Sequence, residues 1–176
     1  MEKKYILTDD VIDFNSHTLH RIKAVRDFYC VKAGDLGGFI ESEKNLDHDG
    51  NAWVTGDAVV TGDAVVTDSA RVSGAAHVTD SAVVSGDAVV SGDARVSGDA
   101  RIHEPSDIAL IKGFGSEFRA TSFFRCVDGL VRCQCGCFYG TVDEFRSTVR
   151  ETHGNSKYAK EYLMIADLME LHFKED

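Results

Sequence analysis

From Gly50 to His103 the apolar positions of the chain recur every six residues without a slip. Nine hexads follow one another: GNAWVT, GDAVVT, GDAVVT, DSARVS, GAAHVT, DSAVVS, GDAVVS, GDARVS and GDARIH. The third place is always alanine, from Ala52 to Ala100. The fifth is valine from Val54 to Val96, and then Ile102. A strict period of this kind calls for a repeat architecture, and fixed steps of six do not follow a helical 3.6. Val, Thr and Ser suit strands, while Gly-Asp and Asp-Ser suit turns. The unit is therefore a short strand plus a corner, and three units close one triangular coil of a parallel β-helix. The fifth-place side chain points inward and the alanine fills the tight space near the corner. Gly or Asp at the first place tolerates unusual backbone angles. Nine hexads make three coils, a prism on the order of 14 Å tall.

The pattern continues less cleanly on both sides, so the prism is expected over residues 38–111. Upstream, Ile40 and Leu46 keep the third-place phase, and another coil begins near Gly38. His48 breaks the fifth place, which predicts an irregular first coil. Downstream, Pro105 ends the clean repeat and "SDIALI" adds a final shifted strand. The flanks read as caps over strand edges that would otherwise invite stacking. Residues 1–37 form a small N-terminal cap whose secondary structure stays open; its apolar positions are Leu19, Ile22, Val25, Phe28 and Val31. Residues 112–176 form a ββαα segment. Asp128-Gly129 signals a two-residue hairpin turn. Thr141 and Glu144 have capping-box spacing, so a helix runs to about Thr152 and stops at Gly154. A second helix runs from about Ser156 to Phe173, with Tyr158, Tyr162, Ile165, Leu168, Met169 and His172 on one face.

Val84-Ser85-Gly86-Asp87-Ala88-Val89 resembles the left-handed β-helix hexapeptide-repeat superfamily. It matches at the aliphatic and small places and departs at the second, where Ser or Thr stands. The resemblance implies a mainly β fold: a short left-handed parallel β-helix with a small N-terminal cap and the C-terminal ββαα segment. Members of the superfamily are commonly homotrimers with parallel prisms, which implies a homotrimer. The combination of "GGFIESEKNL", "GNAWV" and "CGCFYGTVDEFRSTVRETHGNSKYAKEYL" is similar to hexapeptide-repeat proteins encoded by phages and prophages. These are usually described as transferases or polymer-forming proteins, and the likeness carries no catalytic motif.

Fourth-place side chains point out, and steps of 18 keep to one face. One face carries Trp53, Arg71 and Val89; the second Val59, His77 and Arg95; the third Val65, Val83 and Arg101. Valines on a flat outward face suggest packing against another subunit. Many superfamily members transfer acyl groups from coenzyme A with a histidine base, which makes His48, His77 and His103 the candidates here, His103 the better placed of the three. No inserted loop interrupts the repeat, and the hexads supply geometry rather than chemistry. Cys133, Cys135 and Cys137 alternate and so share one strand face, with Cys126 across the hairpin. His153 completes a zinc set with them only if the first helix folds back onto the hairpin; the usual CxxC knuckle is absent, and buried thiols in a small α+β core are the preferred reading.

The formal net charge is −10, from 19 Lys+Arg against 29 Asp+Glu. Nucleic acid and anionic membranes are poor first guesses for such a surface. No signal-peptide run and no membrane-length apolar stretch stands out, so a soluble protein of the bacterial host's cytoplasm is expected. Three functions remain. The first is a non-catalytic homotrimeric phage-type binder, a counter-defence factor that blocks a host protein or sequesters a small signalling molecule. For an anionic ligand, Arg71, Arg95, Arg101, Arg119, Arg125 and Arg132 are the donors. The second is a coenzyme A-dependent acyltransferase, and the third a self-assembling structural protein. No cofactor is expected except coenzyme A under the second.

Overall fold

The computed structural model describes residues 2–174. The chain is mainly β, a β-solenoid of stacked parallel strands with two helices near its C-terminus. It divides into two compact units at Pro105/Ser106.

The first unit opens with β1 (Tyr5–Phe14) and β2 (His17–Ala24), paired antiparallel. The turn between them is Asn15-Ser16, both at positive φ, as a two-residue hairpin of type I′ requires. The N-terminal cap is thus a β-hairpin. Strand β3 (Leu36–Ile40) pairs antiparallel with β2 and parallel with β5 (Val59–Val60), so the hairpin extends one sheet of the solenoid.

Each hexad contributes a two-residue strand. Besides β5 these are β4 (Trp53–Val54), β6 (Val65–Val66), β7 (Arg71–Val72), β8 (His77–Val78), β9 (Val83–Val84), β10 (Val89–Val90), β11 (Arg95–Val96) and β12 (Arg101–Ile102). They stack as three parallel ladders, β3-β5-β8-β11, β4-β7-β10 and β6-β9-β12. The alanines and the fifth-place aliphatics are almost wholly buried at every hexad. All nine first-place residues have positive φ: seven glycines, Asp68 and Asp80. The close approach of coils explains the glycines. A Cβ at Gly86 would lie 2.4 Å from the His103 carbonyl oxygen. Where aspartate stands instead, its carboxylate accepts a backbone N–H of the next coil: Gly86 to Asp68 at 3.0 Å and Gly98 to Asp80 at 2.9 Å.

The first coil differs from expectation in one detail. Ile40 stands against Val60 and Leu46 against Val66, so both take the inward fifth-place role rather than the alanine place. The stacking interval is 20 residues there and 18 afterwards. The two extra residues fall between Asp47 and Trp53, around the expected irregularity at His48. Buried Asn45 ties this coil to the next, its amide donating to the Gly62 and Ala64 carbonyls.

The second unit is a four-stranded antiparallel meander, β13 (Ile108–Ile111), β14 (Thr121–Arg125), β15 (Val131–Cys135) and β16 (Phe138–Thr141). Helices α1 (Val142–His153) and α2 (Lys157–His172) pack on it through Phe123, Cys133, Phe145, Val149, Tyr162 and Met169. The segment expected as a last solenoid strand is instead β13, paired antiparallel with β14. The Asp128-Gly129 turn has three residues, because Cys126 bonds Leu130 rather than facing Val131. A second hairpin turns at Gly136-Cys137 and adds β16 to the expected pair of strands. The capping box forms as expected, with Glu144 N–H donating to Thr141 Oγ1. On α2 the buried face is Ala159, Tyr162, Ile165, Ala166, Met169 and Phe173. Tyr158, Leu168 and His172 of the expected face are exposed. Alanines complete the buried face.

Candidate functional site

The three outward rows form as the period requires, but the chain covers them unequally. Trp53 is buried beneath Phe28 and Tyr5. Val59 is buried in a cluster with Leu19 and Phe39, against which Ile12 and Phe14 of the hairpin pack. His77 lies half-buried with Phe14 edge-on at 4.7 Å. Burial, and next the neighbouring Arg95, hold its pKa below the ordinary histidine value. Val65, Arg71 and Val83 are half-buried, whereas Val89, Arg95 and Arg101 are exposed. His103 is also exposed, and its Nδ1 lies 3.1 Å from Ser85 Oγ, one coil away in the same sixth-place row.

A cleft of about 320 Å³ opens beside Arg71, lined by Tyr29, Asn51, Ser69, Arg71, Asp87 and Val89. Arg71 and Val89 are ladder partners and form one side. Asn51, Ser69 and Asp87 are second-place residues spaced by 18 at one corner, and they form the other. Tyr29, at positive φ in the segment after β2, holds its ring 4.4 Å from the Arg71 guanidinium. Arg71 Nη2 donates to Cys30 Sγ at 3.1 Å. The guanidinium is therefore oriented without a carboxylate. The cleft joins two expected site residues, Arg71 and Val89, and contains neither His77 nor His103.

The other arginines are in a different state. Arg132 forms a two-pronged pair with Asp128, which holds that carboxyl down at about 2. Arg125 pairs with Asp107 at 3.1 Å and donates to the Phe173 carbonyl. Arg119 meets Glu117 at 3.4 Å. A larger groove of about 690 Å³ in the second unit, between the β14–β15 turn and the end of α2, contains Arg146. That cation is shared by Asp143, Asp167 and Glu170, so it is compensated and has no positive charge left to offer an anionic ligand.

The four cysteines considered for zinc do not converge. Cross-strand partners share a sheet face, so Cys133 opposite Phe123 and Cys135 opposite Thr121 face the helices. Cys126, opposite Leu130, falls on the other face. Cys137 sits in the β15–β16 turn and is exposed rather than on the strand face. His153 rests near the rings of Tyr158 and Tyr162. Burial pushes the Cys133 thiol well up, away from thiolate character. Burial and then Cys135 push Tyr162 up to about 12.

One cluster escaped the sequence reading. Lys4 is fully buried, its Nζ donating to the Asp49 carbonyl at 3.2 Å and lying 5.3 Å from the Phe28 ring centre. Desolvation lowers its pKa to about 8. Tyr5 stacks on His48 at 4.3 Å and donates to the Leu46 carbonyl at 2.7 Å. Burial raises the Tyr5 pKa. Nothing in "MEKKYIL" marks the second lysine for burial. For the cleft, a signal was available: Asn51, Ser69 and Asp87 share the interval that groups Trp53, Arg71 and Val89.

No family model matches the chain, and no curated protein matches its sequence. Among the described residues no helix is long and apolar enough to cross a membrane. Fold and site define a capped β-solenoid with a small polar cleft on one outward face.

Proposed function

We propose that the chain is a non-catalytic, homotrimeric binding protein in which the solenoid is the rigid frame. The observation that carries this reading is the uneven cover of the outward rows. The hairpin and the segment after it bury Trp53 and Val59, yet Val65 and Val83 of another row stay only half-buried. Apolar, β-branched side chains on a flat parallel face gain most from a second flat face. A copy of the same prism supplies one, and its symmetry closes the assembly. The target is a host protein or a small charged ligand. The phage-type, counter-defence role rests on the likeness of the sequence to phage-encoded hexapeptide-repeat proteins. A bacterial cytoplasmic location belongs to the same proposal.

The Ser85–His103 hydrogen bond favours a second reading, coenzyme A-dependent acyl transfer, because a histidine beside a hydroxyl can act as a base. Light scattering and native mass spectrometry, with acetyl-coenzyme A added, separate the two. Three chain masses and no acetyl-coenzyme A binding are expected. A monomer overturns the trimer. Saturable acetyl-coenzyme A binding with turnover, lost in His103→Ala, overturns the non-catalytic assignment.

A further inference from the structure

The cleft beside Arg71 contains one cation and one carboxylate, and among the described residues neither makes a salt bridge. Arg71 contacts the Cys30 sulfur and the Tyr29 ring. Asp87, two places before Arg71's ladder partner Val89, lines the same cleft and is exposed. The two stand one coil and two residues apart, on the order of 8 Å between Cα atoms. Fixing the guanidinium against Tyr29 and Cys30 keeps it in place for a ligand. Asn51 and Ser69 add an amide and a hydroxyl to the lining, and Val89 adds an apolar patch.

From this juxtaposition we propose that the cleft binds a free α-amino acid with an apolar side chain. The ligand carboxylate lies on the Arg71 guanidinium, the ammonium is held by Asp87, and the side chain rests on Val89 and Tyr29. The proposal rests on the binding reading above and names the ligand class. Charge decides it. A polyanion such as a nucleotide would gain Arg71 but bring its charge beside Asp87, and a simple cation would meet the reverse. A zwitterion satisfies both groups at once, and about 320 Å³ is pocket space for a molecule of that size.

The test is isothermal titration of the full chain with L-leucine, L-methionine and L-phenylalanine, beside their N-acetyl and carboxamide derivatives. At least one free amino acid binds saturably, and removing either charge weakens it about tenfold or more, the worth of one ion pair. Arg71→Leu abolishes binding, while Asp87→Asn reduces the preference for the free amine over its N-acetyl form. Unchanged thermal unfolding of both variants shows that the frame is intact. Equal binding of the N-acetyl derivative overturns the proposal in favour of an anion site. No binding of any probe to a sample whose mass is that of a trimer overturns it while leaving the scaffold reading standing. Binding to a sample that proves monomeric supports the cleft and removes the trimer.

Discussion

Lys4 shows how much a single residue can set against its surroundings. A lysine ammonium removed from water needs compensation, and here it has one carbonyl and one aromatic face, with Asp47 and Asp49 acting across space and Arg26 opposing them. The cost of the buried charge persists at every pH below about 8, because folded and unfolded chains are then both protonated. Above that value the folded lysine releases its proton while the unfolded one keeps it up to the ordinary lysine range. The unfolded state then binds more protons, so stability rises with pH. Tyr5 ends the window. Its phenol is held protonated in the fold, so the gain reverses once unfolded tyrosine ionises near 10. Urea unfolding of the first unit, followed by the fluorescence of Trp53, the one tryptophan, is expected to show stability increasing between about pH 8 and pH 10, while the buried Cys133 thiol pulls the second unit the other way over the same window. Lys4→Met is expected to be more stable than the parent at pH 7 and to lose that increase. A flat parent profile across this window would show that the ammonium is better solvated than its burial implies.

At the level of the element, the corner governs the solenoid. Every hexad needs a left-handed residue at its first place, and the reason is partly backbone and partly the coil beyond it. Two glycines separate those causes. Gly34 has φ +97 with open space around it, whereas Gly86 has φ +58 with the His103 carbonyl in the way. Gly34→Ala should cost about 1–2 kcal/mol, the strain of a left-handed Cβ alone. Gly86→Ala should cost several kcal/mol more, because the backbone of the next coil must shift, and Trp53 fluorescence in urea reports both. On α1, Thr141→Ala removes the capping acceptor for Glu144 N–H and should lower stability by about 1 kcal/mol, read as the loss of second-unit helicity by circular dichroism. The corner and the cap were both legible in the sequence because each is local chemistry at a fixed spacing, the corner nine times over. The first coil was legible only in outline. Ile40 and Leu46 fit a hexad phase, but two residues inserted between Asp47 and Trp53 moved them to the inward valine row. Strand β13 was misplaced because "IALI" carries the same apolar signal in either sheet, and only its pairing with β14 decides. The cleft was half legible. Periodicity placed Arg71 beside Val89, but Tyr29 and Cys30 reach it through a fold of the N-terminal segment that no spacing encodes.

For the whole molecule the decisive balance is between apolar faces and net charge. Each chain carries −10, and a trimer concentrates three such charges in one particle. In the proposed trimer, association through Val65 and Val83 must overcome mutual repulsion, which is long-ranged in dilute salt and screened within about 8 Å at physiological ionic strength. The sign of the salt effect follows. If the valine rows hold the subunits together, raising salt from about 0.01 M to about 0.15 M strengthens the trimer, since it weakens the repulsion and leaves the apolar contact intact. If rows of opposite charge held them, with Arg95 and Arg101 seated on acidic corners, the same change would weaken it. Sedimentation equilibrium at the two salt concentrations is expected to show tighter association in the higher one. Val83→Lys, which places a charge in the middle of a bare row, should give monomers at both while leaving the Trp53 emission of the folded first unit unchanged. Dissociation by added salt in the parent chain would assign the interface to the arginines instead.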